Sequence, residues 1–104
     1  QGSHYELQIN AGNLKKGQSK VVTISVNPKE LEIKNASSFA EEDDLKEGVD
    51  GITLLKYQPK KGVLVWKLTG SLERGESCET YQSIPVEAKK DGKTEIAYTM
   101  TEQS

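Results

Sequence analysis

The feature that most constrains the fold is a two-residue rhythm in the apolar side chains. Between Lys20 and Val26, Val22, Ile24 and Val26 share one phase, while Thr23 and Ser25 share the other. Successive side chains of a strand point to opposite faces, so this rhythm gives one apolar and one polar face, and the β-branched residues suit a pleated backbone. The same alternation runs through Tyr5–Ile9, Glu30–Lys34 and Val63–Thr69, where Leu64, Trp66 and Leu68 are in phase, and Ile52–Tyr57 reads as a further strand. The alternation returns in Ser77–Ala88, led by Ile84 and Val86, and in Lys93–Met100, with Thr94, Ile96, Tyr98 and Met100. Seven strands are expected.

Turn chemistry separates these segments. Pro28 cannot donate to a ladder and should end the second strand. Pro59-Lys60-Lys61-Gly62 reads as a hairpin turn, since proline presets φ and glycine accepts positive φ. Lys89-Lys90-Asp91-Gly92 reads as a second hairpin turn of similar chemistry. Only residues 35–51 break the pattern. There Ser38 followed by Glu41 matches a capping box, and a short helical turn over 39–47 ending near Gly48 competes with an acidic loop. Seven turn-bounded strands imply a sandwich or a barrel. Apolar residues make up only 34% of the chain and charged residues 29%. That balance suits a thin core between two sheets, each giving one face to solvent.

The second half carries a family pattern. Gly62-Val63-Leu64-Val65-Trp66-Lys67-Leu68, then Leu72-Glu73-Arg74-Gly75-Glu76-Ser77, then a long strand and Asp91-Gly92, resembles immunoglobulin-like modules of bacterial and archaeal surface proteins, S-layer-like and envelope proteins among them. Lys16-Gly17-Gln18 before a β-branched strand is similar to their opening. The resemblance covers roughly residues 15–100, and its specific part is 62–92. It implies an all-β, immunoglobulin-like antiparallel β-sandwich of about seven strands in a cell-surface module. Residues 37–51 depart from it, because these modules tend to run strand to strand. A shorter stretch, the apolar-Trp-Lys-Leu strand before a polar turn, resembles the β-rich cargo domains of vesicle-coat adaptor subunits.

Gln1-Gly2-Ser3-His4 reads like the remnant of a cleavable tag, leaving residues 5–104 as one domain excised from a longer protein. The chain carries 14 basic and 16 acidic residues, well mixed. Nucleic-acid binding needs a concentrated positive field, so it is not expected. No apolar run approaches the ~18 residues that span a bilayer, and membrane insertion by this domain is not expected either. Cys78 is the only cysteine and His4 the only histidine. A Ser-His-Asp or Cys-His arrangement therefore has no histidine within the domain proper, and no catalytic residue, cofactor or enzymatic activity is expected.

Glu41, Glu42, Asp43 and Asp44 form the densest carboxylate cluster. Calcium needs six to eight converging oxygens, and contiguous acids without Asp-x-Asp-x-Asp-Gly spacing read first as a solvated loop or helix start, then as an acidic recognition loop, and only last as a calcium site. Trp66 reads as a core plug. Tyr57 and Tyr81, on the less apolar phases of their strands, are the candidates to face a partner. The lysine pairs at positions 15–16, 60–61 and 89–90 read as solubilising turn residues, or as a basic tip if the turns share one end. Asn35-Ala36-Ser37 is a glycosylation sequon. The chain is thus expected to be a non-catalytic binding, spacer or assembly module of a larger cell-surface protein, extracytoplasmic and monomeric in isolation, with a protein or cell-surface ligand. The alternative is a cytoplasmic adaptor-type domain recognising a peptide by strand addition.

Overall fold

The computed structural model describes residues 3–34, 49–89 and 95–103. The expected helical turn over 39–47 and most of the second turn lie outside them. Seven strands follow in chain order: β1 (Ser3–Gly12), β2 (Ser19–Val26), β3 (Leu31–Ile33), β4 (Val49–Gln58), β5 (Val63–Gly70), β6 (Thr80–Ala88) and β7 (Ile96–Gln103). They form two antiparallel sheets, ordered β1-β6-β3 and β4-β5-β2-β7. The architecture is a seven-stranded β-sandwich, the expected one of the two closures that the two-residue rhythm allows. β1 starts at Ser3, so Ser3 and His4 pair with Ala88 and Glu87 ahead of the expected start of the domain.

The apolar phase of each strand meets between the sheets. Val22, Ile24, Leu64, Leu68, Ile33 and Ile84 are fully buried around Trp66, which pairs laterally with Val22 on β2 and Leu54 on β4. A buried indole fills the gap between two thin sheets, which explains how a chain with so few large apolar residues closes a core. Leu14 and Leu72 cap one end, where the Lys16 N–H donates to the Leu72 carbonyl at 2.8 Å. The β4–β5 hairpin turns through Pro59–Gly62 as expected, with Gly62 at a φ of 73°. A Cβ there would collide with the Val26 carbonyl, so the position needs glycine for space as well as for φ.

Two strand ends have local causes. β6 begins three residues later than expected, because the Asn13 side chain holds the preceding stretch off the ladder. Its Oδ1 accepts from the Cys78 N–H at 2.5 Å and from the Ser77 hydroxyl at 3.1 Å. β3 stops after three residues because its next rung meets Pro85 on the central strand β6. The Lys34 N–H donates to the Pro85 carbonyl at 2.8 Å, but proline has no N–H to return.

The second expected hairpin is corrected. β6 and β7 lie in different sheets, β6 pairing with β1 and β3 and β7 pairing with β2. Turn residues such as Asp91-Gly92 specify a reversal, not the partner that the following strand meets. In a constant-type immunoglobulin sandwich the first strand pairs with the second and the last with the sixth. Here the inner strands keep that arrangement, β4-β5-β2 facing β6-β3, while β1 and β7 have exchanged sheets.

Candidate functional site

A sandwich of two open sheets has four lateral edges, and an unprotected edge is a template for another strand. Three of the edges here are blunted. β3 offers only three residues, and the Lys34 ammonium beside it pairs with Glu32 at 3.6 Å and Glu87 at 3.5 Å. Those carboxylates, Glu32 foremost and then Glu87, raise the Lys34 pKa above its ordinary value. β4 is interrupted by register shifts at Val49/Gly51 and Leu54/Lys56 and exposes Asp50 and Lys56. β1 is regular from Ser3 to Asn10 but exposes the charged Glu6 in mid-strand, and it shifts register at Asn10/Gly12, where the Asn10 Oδ1 accepts the Gly12 N–H at 2.8 Å and its Nδ2 donates to Glu79 at 2.5 Å.

β7 has none of these devices. It pairs with β2 without a register shift from Ile96↔Val26 to Gln103↔Ser19, and Glu102 is its only charged residue. Ile96, Tyr98 and Met100 lie opposite Val26, Ile24 and Val22, so they occupy the core-facing phase. Yet Tyr98 is 59% exposed and Ile96 37%, with Met100 half-buried. The opposing sheet stops short of them. Tyr57 ties β4 to β3, its hydroxyl donating to the Ile33 carbonyl at 2.8 Å, which leaves β1 and β7 as the two lips of the other side. On β1, Tyr5 also lies on the core-facing phase, opposite Val86, and is 56% exposed. Ile96 and Tyr5 sit at the same end of the sandwich. Val26, the partner of Ile96, leads through Asn27–Glu30 into Leu31, which pairs with Ala88 beside the start of β1.

The residues singled out from sequence fall elsewhere. Tyr57 is half-buried and its hydroxyl is engaged between the sheets. Tyr81 is exposed on the outer face of β6, its hydroxyl donating to the Glu79 carboxylate at 3.3 Å. The Glu79 charge, and secondarily this hydrogen bond, raise the Tyr81 pKa. The structure does not bring the two tyrosines together. Glu41, Glu42, Asp43, Asp44 and Asn35 lie outside the described residues. The lysines do not form one tip. Lys15 and Lys16 line a shallow depression with Leu72, Glu73, Arg74 and Gly75, where Lys15 donates to the Glu76 carbonyl and Lys16 pairs with Glu73 at 3.6 Å. Lys89 sits at the opposite end, donating to the Pro28 carbonyl at 2.9 Å, and the Lys60-Lys61 turn shares that end, beside Val26, so two of the three lysine turns lie together and Lys15-Lys16 lies apart.

His4 is exposed on β1 and Cys78 is half-buried. Among the described residues no group of three or more His, Cys, Asp or Glu side chains is placed to hold a metal ion. No helix among them is long and apolar enough to cross a membrane. No family model, no curated protein and no solved structure matches the chain.

The sequence reading missed the β7 edge because alternation marks Ile96, Tyr98 and Met100 as core and says nothing about what covers them. The one available signal was the lack of charge and proline from Ile96 to Thr101.

Proposed function

We propose that this domain is a non-catalytic binding and assembly module of a larger cell-surface or envelope protein. The observation that carries the reading is the exposed edge of β7, regular along its length and with one charged residue near its end, in a fold whose other edges are blunted. A sequence with 29% charged residues has ample means to protect an edge, and this one is left bare. The immunoglobulin-like arrangement of β2–β6 and the resemblance of residues 62–92 to surface modules support the surface setting. The test is proteolytic shaving of intact cells that express the parent protein. Release of fragments from this domain without lysis is the expected result; complete protection until the cells are broken refutes the surface setting. The same edge supports a second reading, an intracellular domain that captures a peptide by strand addition. A parent recovered only from the cytosol would favour it.

A further inference from the structure

We infer that the β7 edge is a self-association surface, pairing antiparallel with β7 of a second copy about a two-fold axis through Tyr98. The inference rests on reading the domain as an assembly module and names the partner that its open edge fits. A two-fold axis normal to the sheet keeps the core-facing phase of both copies on one side. Residues directly opposite must then share that phase, because a slip of one residue turns every side chain to the other face. With the axis at Tyr98, Ile96 lies opposite Met100 of the second copy, Tyr98 opposite its own counterpart, and Ala97 opposite Thr99. The exposed inner stripe is then covered by an identical stripe of aromatic and apolar pairs, the kind that stabilise antiparallel ladders. Glu102 falls beyond the paired stretch Ile96–Met100. An axis at Thr99 keeps the phase but sets Ile96 against Glu102, so charge decides between the two registers.

The product is a continuous eight-stranded sheet, four strands from each copy, with each three-stranded sheet packed on the same side. Tyr5 of each copy borders the groove over the axis, and a two-fold contact there closes onto itself rather than propagating into a fibre. β1, β3 and β4 cannot substitute, because bulges, charge or shortness blunt them.

The test is sedimentation of the purified chain over a wide concentration range, with a cross-linking arm. The expected result is a concentration-dependent dimer that is lost in Tyr98→Lys, which places two ammonium groups opposite each other. Tyr98 is exposed, so this variant should keep the blue-shifted fluorescence of buried Trp66 and the wild-type circular dichroism. In a Cys78→Ser background, Tyr98→Cys should form a disulfide dimer on mild oxidation, since directly opposed antiparallel residues lie about 4.5–5.5 Å apart between Cα atoms. Thr101→Cys should not. A monomer at every concentration, a dimer that survives Tyr98→Lys, or equal cross-linking at both cysteines overturns the inference. So does a monomer that instead binds an added extended peptide along β7. Any of these outcomes for a domain that is shaved from intact cells refutes the self-pairing alone; a dimer whose parent is cytosolic refutes the surface setting alone.

Discussion

Replacing Gln82 with methionine should make the protein more stable. Gln82 sits mid-strand on β6, the central strand of the three-stranded sheet, opposite Ile9 of β1. Its side chain points into the core between Thr80 and Ile84 and is 3% exposed. Neither its Nε2 nor its Oε1 has a hydrogen-bond partner among the described residues. Burying an unpaired amide costs about 1–3 kcal/mol on the scale of protein mutational data. Methionine has nearly the same length, no polar group to desolvate, and a flexible thioether that fits an irregular site, so the packing penalty should stay below about 1.5 kcal/mol. The balance predicts a gain of about 1 kcal/mol, which for a domain of this size raises the melting temperature by roughly 4–8 °C.

Urea unfolding followed by Trp66 fluorescence measures this directly, because the indole is fully buried and will report its exposure. The midpoint should rise with the slope unchanged, the mark of a stability change rather than an altered denatured state. Gln82→Ala is the control: it removes the amide but leaves a cavity, so it should fall short of methionine. A midpoint lowered by methionine would falsify the reasoning, since it would mean that the native amide makes hydrogen bonds worth more than its desolvation.

Four other substitutions test separate parts of the fold. Gly62→Ala should cost at least about 2 kcal/mol in the same unfolding assay, because the new Cβ meets the Val26 carbonyl as well as an unfavourable φ. Gly75→Ala, at a φ of 91° with open space around it, should cost only the conformational part, about 1–2 kcal/mol. Tyr57→Phe removes the hydroxyl that bridges β4 to the Ile33 carbonyl and should cost about 0.5–1.5 kcal/mol; no change would mean that the bond is not a tie between the sheets. Lys34 has a raised pKa in the folded protein, owing to Glu32 and then Glu87. Its contribution is therefore complete below the unfolded-state value of ~10.4 and is lost as pH rises through the folded value. Lys34→Met should flatten that alkaline loss in a series of melting curves, and salt should weaken it in the native protein, because the pair is solvent-exposed.

Why so much of this fold is legible in the residues, and why the edge is not, has one physical origin. Alternation is local: Val22, Ile24 and Val26 must face one way whatever lies opposite them, so strands and core phase follow from sequence alone. Trp66 is legible as the plug because no other side chain here has the volume to bridge two sheets. Partner choice is not local. The turn chemistry of Asp91-Gly92 suggests a β7 running back along β6. Instead β1 occupies that side of β6, and β7 completes the other sheet beside β2. Each terminal strand is antiparallel to its partner, so local geometry alone does not fix the choice. That choice also sets where the surface is bare. In the exchanged arrangement β7, with a lone carboxylate at Glu102, becomes the outer strand of the larger sheet, while β1, carrying His4, Glu6 and the Asn10 bulge, borders the smaller one. Had β7 paired with β6, its core-facing Tyr98 and Ile96 would have lain against a different sheet and a different lip. The exposure of those two side chains is thus a consequence of topology, set by which strand ended up last in the row.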